Sequence, residues 1–179
     1  MSVDYLAQCA DALLAAVDAA LVVATTGHAA PGTSYLSHGE PTPDHCGEVT
    51  VHLESVGHEP QSFNSQGLSG GLPQSCNVVG IPTFVISLFR CVTNLSDSQT
   101  DPFPSGDTLD SDAASLLVDL WALLTELYDR IEENTLLPGL DDPCDLAIGE
   151  VTPIETDGDV AGWRIPVTFS ANDHGPTGS

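Results

Sequence analysis

The feature that most constrains this chain is an apolar run at residues 81–91, Ile-Pro-Thr-Phe-Val-Ile-Ser-Leu-Phe-Arg-Cys. Its apolar side chains alternate between both sides of an extended chain, Phe84, Ile86 and Leu88 on one side and Val85, Phe89 and Cys91 on the other. A strand that is apolar on both faces is covered on both faces. Pro82 suits the first residue of such a strand, where its missing N–H costs no ladder bond. We therefore predict a central strand between two layers.

One amphipathic helix is predicted before this strand, over residues 2–24. Ser2 can cap it, and apolar residues recur at every third or fourth position. This stripe consists of Leu6, Cys9, Ala10, Leu13, Val17, Ala20 and Leu21. Asp4, Asp11 and Asp18 repeat at seven residues and are predicted to lie on the opposite, solvated side.

A longer helix is predicted after the strand, from Asp110 or Ser111 to about Glu133. Its predicted apolar stripe consists of Ala113, Leu116, Leu117, Leu120, Leu124, Leu127 and Ile131, widened by Trp121 and Leu123. Acidic side chains at Glu132 and Glu133 oppose the helix dipole, so fraying is expected there. The Pro138-Gly139 pair then ends the helix.

Three further strands are predicted. Residues 48–54 alternate in polarity, which indicates a half-buried strand, antiparallel to the central one, with a wet face made by Glu48, Thr50, His52 and Glu54. Segments 147–155 and 162–170 are predicted strands joined by an Asp157-Gly158 turn. Pro166 requires the last strand to be an edge strand or to carry a bulge.

The remaining segments 29–43, 57–80 and 94–109 are predicted loops, and 171–179 a flexible tail. The element order is helix, strand, strand, helix, strand, strand. This order predicts a single α+β domain over residues 1–179, with a mostly antiparallel sheet packed by the N-terminal helix and the longer central helix.

The charge of the chain is unusual. It has 26 acidic residues against three basic ones, all arginine, for a net charge of −23. Salt screens such self-repulsion over roughly 10 Å at 0.1 M and about 3 Å at 1 M. We consider two explanations, adaptation to a very salty cytoplasm, which we favour, and repulsion of a polyanion. A protein that grasps nucleic acid needs lysine and arginine to neutralise phosphate, so this composition argues strongly against that class.

The five cysteines are odd in number and widely spread, unlike the set of a small secreted disulfide scaffold. Cys9 and Cys91 are predicted to be buried, free thiols among apolar residues. The candidate zinc ligands are Cys46, Cys76, Cys91 and Cys144 with His45 or His52, but no closely spaced pair such as C-x-x-C is present. Cys46 and Cys76 flank the long loop, and a metal site or a disulfide between these two stays open as an alternative. Aspartates interrupt the apolar N-terminus, so we expect neither a signal peptide nor a membrane span, and a protein made and used inside a cell.

No residue pattern predicts catalysis. Asp44-His45-Cys46 contains a possible nucleophile and base, but adjacent residues on an extended chain point to opposite faces. The glycine-rich segment 67–71 lacks the lysine of a phosphate loop. We therefore expect no enzyme, no catalytic residue, no cofactor and no metal. An enzyme that uses Cys46 remains the alternative.

The chain resembles the tail terminator and neck proteins of long-tailed viruses. The resemblance rests on the element order and on the stretches Cys46-Gly-Glu-Val-Thr-Val-His-Leu53, Cys76, residues 81–91, the acidic, leucine-rich helix and Gly162-Trp-Arg-Ile-Pro-Val-Thr-Phe169. It covers about residues 3–170. The chain differs from the bacterial-virus relatives in its absence of lysine and its larger loop content. The choice between a tail terminator and a neighbouring head-completion protein therefore stays open.

The resemblance implies a structural virion protein without catalytic residues. Such a protein forms a ring, a homohexamer, at the head-proximal end of the tail, assembled in the host cytoplasm. The ring ends growth of the tail tube and joins it to the capsid connector or stopper protein, while DNA only passes through its acidic lumen. The acidity of the chain also fits a halophilic host, here a haloarchaeon, and no membrane is expected to take part. Loop 57–80 is predicted to dock the ring to its neighbours. The alternatives are a stopper protein of the neck and a halophilic cytoplasmic binding module.

Overall fold

The computed structural model describes residues 3–23, 33–41, 47–59, 79–92, 105–137, 146–154 and 160–170. These residues form two helices and six strands in the order α1 (Val3–Val23), β1 (Thr33–Leu36), β2 (Glu48–Glu59), β3 (Val79–Cys91), α2 (Gly106–Glu132), β4 (Leu146–Ile148), β5 (Thr152–Ile154) and β6 (Val160–Phe169). The helices pack against one sheet, and the predicted α+β class is confirmed.

The sheet has the order β1-β2-β3-β6-β4, and β5 also pairs with β6. β1 and β2 are parallel, and the other neighbours are antiparallel. The register aligns Val51 of β2 with Ile86 of β3, and Ile86 with Ile165 of β6. The predicted central position of β3 and its antiparallel pairing with β2 are therefore confirmed. Pro82 is the fourth residue of β3, one before the ladder with β6 begins at Thr83.

The core lies between the helices and one face of the sheet. Phe84 and Phe169 stack there with ring centroids 6.0 Å apart, and Tyr5 of α1 meets Phe169 edge-on at 6.5 Å. A fully buried Leu, Ile or Phe stabilises the fold by about 1.5–3 kcal/mol relative to an exposed one. The fully buried members with the largest side chains include Leu13, Val17, Val49, Val51, Ile86, Leu88, Leu123, Leu127, Ile165 and Phe169.

Helix α1 matches its prediction closely. Its bounds differ by one residue at each end from the predicted range 2–24. The predicted stripe is buried from Cys9 to Leu21, Leu6 packs partly buried against it, and Asp4, Asp11 and Asp18 are exposed. The regular spacing of apolar residues was therefore enough to orient this helix.

Helix α2 begins earlier than predicted and ends at Glu132, within one residue of the prediction. It starts at Gly106 because Ser105 caps it, its Oγ accepting from the N–H of Thr108 at 3.3 Å. At the other end Asn134 adopts φ 54°, and the N–H of Thr135 donates to the carbonyl of Arg130 at 2.8 Å. This left-handed cap satisfies carbonyls of the last turn, so the structure shows an ordered end where fraying was predicted.

Strand β2 corrects the prediction of a wet face at three of its four residues, while the fourth, Glu54, is exposed as predicted. Glu48, Thr50 and His52 are only 5%, 0% and 3% exposed, whereas Leu53 is 38% exposed. The neighbouring residues of β3 on this second face, Val85, Ser87 and Phe89, are buried as well. The alternation of polar and apolar residues predicted the strand correctly. This part of the sheet is nevertheless covered on both faces, as the apolar run in β3 predicted.

Two other strands differ from the predictions. β1 lies inside the predicted loop 29–43. The predicted strand 147–155 is divided into β4 and β5, which pair with different parts of β6. The break lies beside Pro166, whose carbonyl accepts from the N–H of Gly149 at 2.8 Å, and a Cβ on Gly149 would lie 2.8 Å from Cγ of Pro166. β6 is not an edge strand, so the irregularity required by Pro166 falls on its neighbour.

Among the described residues, no helix is both long and apolar enough to cross a membrane. The Asp157-Gly158 turn, the tail, and most of the loops 57–80 and 94–109 lie outside the described residues. The described parts of those loops extend β2 to Glu59, β3 back to Val79 and α2 back to Gly106.

Candidate self-association surface

Helix α2 carries large apolar side chains on the side that faces away from the core. Leu117, Trp121 and Tyr128 are 56%, 74% and 53% exposed, and Val118 beside them is 42% exposed. At 100° per residue these positions share one helix face with two small or polar residues. We call this face the outer strip, which consists of Ala114, Leu117, Val118, Trp121, Thr125 and Tyr128.

The outer strip carries no charge along its length. From Ala114 to Tyr128 it extends for roughly 21 Å at 1.5 Å per residue. Acidic residues meet the same face only beyond the strip, at Asp110 before it and at Glu132 after it. In a chain with 26 acidic residues, an uncharged surface with an exposed tryptophan indicates a contact site, because large exposed apolar patches mark interfaces.

Two polar contacts hold α2 so that this strip faces outward. The guanidinium of Arg90 on β3 pairs with the buried carboxylate of Asp119, with 2.5 Å between Nε and Oδ2. The indole N–H of Trp163 on β6 donates to the carbonyl of Leu116 at 3.2 Å. Together with the buried Leu123 and Leu127, these contacts fix the rotation of the helix about its axis.

A second set of exposed apolar side chains lies at the opposite edge of the sheet. Tyr35 and Leu36 of β1 and Leu53 and Val56 of β2 are each 37–40% exposed. β1 is the edge strand here, with only four residues. α2 contacts β6, whereas β1 and β2 stand at the other end of the strand order, so the two apolar sets are separate surfaces.

All three arginines lie among the described residues, and each contacts a carboxylate of the same chain. Arg90 pairs with Asp119, Arg130 with Glu126 at 2.6 Å, and Arg164 with Glu54. A phosphate group would have to compete with these carboxylates for every guanidinium.

The second face of the sheet holds buried polar atoms. Within the parts of the chain that the structure describes, the buried atoms Thr50 Oγ1, His52 Nδ1 and Arg164 Nε have no hydrogen-bond partner. Burial lowers the pKa of His52, and the positive charge of Arg164 lowers it further, against smaller opposing effects of Glu54 and Glu40. His52 is therefore a neutral imidazole at neutral pH. The parts of the chain that the structure describes contain no cluster of His, Cys, Asp and Glu side chains that could hold a metal ion.

The two described cysteines behave differently. Cys9 is fully buried and free, as predicted, and burial raises the pKa of its thiol to about 11 although a hydrogen bond with Tyr5 lowers it. Cys91 was predicted to be a buried free thiol, and this is wrong, because it is exposed and disulfide-bonded. A bonded sulfur is no thiolate ligand, so Cys91 leaves the candidate metal set.

The other candidate sites of the sequence are not tested by this geometry. The Asp44-His45-Cys46 cluster, Cys76, Cys144 and the glycine-rich segment 67–71 lie outside the described residues. The sequence reasoning also missed the outer strip, since it assigned Leu117 and Trp121 to the core stripe. A signal was present, because the apolar residues of α2 cover more of the helix circumference than one buried face needs.

Comparison with known proteins found no matching family model and no matching curated protein. The fold and the outer strip together define an α+β protein that exposes an uncharged helix face. The resemblance to viral tail terminator and neck proteins stays a prediction from the sequence.

Proposed function

We propose that this protein is a structural virion protein that forms a ring at the head-proximal end of a viral tail. There it ends growth of the tail tube and joins the tail to the capsid connector or stopper protein. The observation that carries the proposal is the uncharged outer strip of α2, with Trp121 exposed at its centre. The resemblance of the sequence to tail terminator and neck proteins supports the same reading.

The charge of the chain favours a second copy as the occupant of the strip. Copies with a net charge of −23 repel each other over most of their surface, so they approach best where carboxylates are absent. The outer strip is such a region, and another copy offers uncharged surface in return. Tryptophan and tyrosine are also the side chains that contribute most to binding energy at the centre of protein interfaces.

The position of the apolar sets favours a ring over a closed pair. In a ring each subunit contacts the next through two different surfaces. The outer strip and the exposed set at the β1 edge, Tyr35, Leu36, Leu53 and Val56, are separate surfaces. In the proposed ring the outer strip of one subunit packs against the β1 edge of the next, and six subunits close it.

DNA passage is supported by the same charge balance. The chain has no lysine, and each arginine is engaged by a carboxylate, so DNA in the lumen meets no cation ready to hold it. The protein then acts as a channel wall and not as a nucleic-acid binder. It needs no catalytic residue and no cofactor for this task.

The disulfide at Cys91 supports a working place outside the reducing cytoplasm. The protein is assembled in the host cytoplasm, and the virion neck carries it out of the cell. A purely cytoplasmic halophilic module would keep its exposed thiols reduced.

The test is the mass of the full chain by light scattering, in dilute buffer and in molar KCl, where the screening length falls to about 3 Å at 1 M. We expect a closed ring at high salt. Trp121→Glu places a carboxylate on the strip and should give monomers. Leu109→Glu is the matched control, because Leu109 is 40% exposed on another face of the same helix.

A dimer at high salt would favour strip-to-strip pairing and contradict the ring. A monomer both alone and with tail tubes would favour the binding module. A Trp121→Glu variant that still forms rings would place the subunit contact elsewhere.

A further inference from the structure

The outer strip is bounded by a carboxylate at each end. Asp110 lies four residues before Ala114, and Glu132 lies four residues after Tyr128. At 100° per residue both point within about 20° of the direction of Trp121, so they lie on the same side of α2 as the strip. Both residues are exposed. We call Asp110 and Glu132 the rim carboxylates, and a partner that covers the whole strip comes close to both.

The surface that is proposed to meet the strip in the ring also carries carboxylates. At the β1 edge, Glu54 is exposed and directly follows the exposed Leu53. Glu40, four residues after Leu36, is exposed as well, and its charge acts on that of His52 in β2. A contact between the strip and this edge therefore brings like charges together at its margin, and like charges across an interface oppose association.

A second copy offers little positive charge against these carboxylates. The chain has no lysine, and its three arginines all lie among the described residues. Arg90 and Arg130 are engaged by carboxylates of their own chain, and Arg130 is nine residues from Trp121, which places it on the opposite side of α2. Arg164 pairs with Glu54 and offsets that charge alone. Reduction of the repulsion at the rim is therefore left to the ions of the solvent.

Salt acts differently on the two components of this contact. Burial of an apolar side chain such as Trp121 does not depend on charge. Repulsion between exposed charges, in contrast, acts over roughly 10 Å at 0.1 M salt and over about 3 Å at 1 M. The contact is therefore opposed in dilute buffer, and this opposition is removed at molar salt.

We propose that the rim carboxylates Asp110 and Glu132 make self-association through the outer strip dependent on salt. In dilute buffer they hold two copies apart, and in molar salt the screened rim lets the strip of one subunit close on the next. The inference assigns this dependence to two positions on α2 and not to the net charge of −23 as a whole. It rests on the proposed function, because it specifies how the same subunit contact is regulated.

The test is the mass of the full chain by light scattering over a series of KCl concentrations, from dilute buffer to molar salt. The rim variant combines Asp110→Asn with Glu132→Gln and removes both charges at nearly constant side-chain size. Its matched control combines Asp11→Asn with Glu133→Gln, which removes two charges from exposed positions outside the strip. Glu133 lies next to Glu132 at the same end of α2, but about 120° from Trp121 around the helix axis.

We expect the rim variant to assemble at about half the KCl concentration that the wild type needs, or less, because the local repulsion is gone. The control should stay close to the wild type, and all three proteins should reach the same mass at molar KCl. Equal shifts in the two variants would assign the effect to net charge and overturn the proposal. Assembly of all three at the same KCl concentration, or of the wild type already in dilute buffer, would overturn it too.

These results separate the inference from the proposed function. In each of the last three outcomes a ring still forms, so the proposed function stands while the role of the rim carboxylates fails. If all three proteins stay monomeric at every KCl concentration, the strip makes no contact that could be regulated. The inference then fails together with the self-contact that the proposed function requires.

Discussion

Helices α1 and α2 have similar amphipathic sequences, but they use their apolar residues differently. In α1 none of the large apolar side chains that the structure describes is exposed, and its three aspartates take the solvated side. In α2 the core receives Leu123 and Leu127, while Leu117 and Trp121 remain exposed. The comparison indicates that α1 serves only the fold, whereas α2 serves the fold with one face and has a second face left for a partner.

The largest effect on stability is expected at a buried residue of α1. Leu13→Ala removes a fully buried side chain and leaves a cavity against the sheet. We expect the free energy of unfolding to fall by about 2–5 kcal/mol. Denaturant unfolding at fixed high salt measures it. A loss below about 1 kcal/mol would mean that α1 is not the anchor of the core, and the contrast with α2 would fail.

The next effect concerns the contact that orients α2. Asp119→Ala removes the buried carboxylate that pairs with Arg90 and should cost about 2 kcal/mol, because a charge-assisted contact between α2 and β3 is lost. The matched control is Glu126→Ala, which breaks the half-exposed pair with Arg130 on the same helix and should cost about 0.5 kcal/mol or less. Equal losses in the two variants would show that the Arg90–Asp119 pair does not hold the helix.

The polar second face of the sheet should add a dependence on pH. Since burial lowers the pKa of His52, the unfolded chain binds a proton more readily than the folded one. The stability that depends on a neutral His52 is fully present above the unfolded pKa of about 6.5. It is lost as the pH falls through the lowered pKa of the folded state. Unfolding measured across this range should show a dependence that His52→Gln reduces. A pH profile that His52→Gln leaves unchanged would contradict the effect of burial on this residue.

The smallest effect on stability is expected on the outer strip. Leu117→Ala truncates a side chain that is 56% exposed and should change the free energy of unfolding by about 0.5 kcal/mol or less. Leu13→Ala in α1 and Leu117→Ala in α2 are the same substitution, so their stability losses can be compared directly between the two helices. If Leu117→Ala destabilises the monomer as strongly as Leu13→Ala, the strip belongs to the core and not to an interface.

Much of the fold could be predicted from local pattern. Helix α1 was predicted to within one residue at each end, because burial on one side imposes a spacing that is visible in the sequence. The central position of β3 followed for the same kind of reason, since a strand apolar on both faces needs cover on both. The candidate site was not predicted, because the apolar residues of the outer strip have the same helical spacing as buried residues. Only the packing of α2 shows which of them are exposed.

The sequence by itself determined the α+β class, the two helices, the strands β2, β3 and β6, the orientation of α1 and the acidic, lysine-free composition, all of which depend on spacing and composition within one segment. Only the tertiary structure decided which residues of α2 are buried, that the polar side of β2 is covered, and that Cys91 is exposed and bonded. These features depend on what lies across from a residue in space. The polarity pattern along a segment shows how many of its faces are apolar. Which part of the molecule covers each face is decided by strand register and by the rotation of the helices.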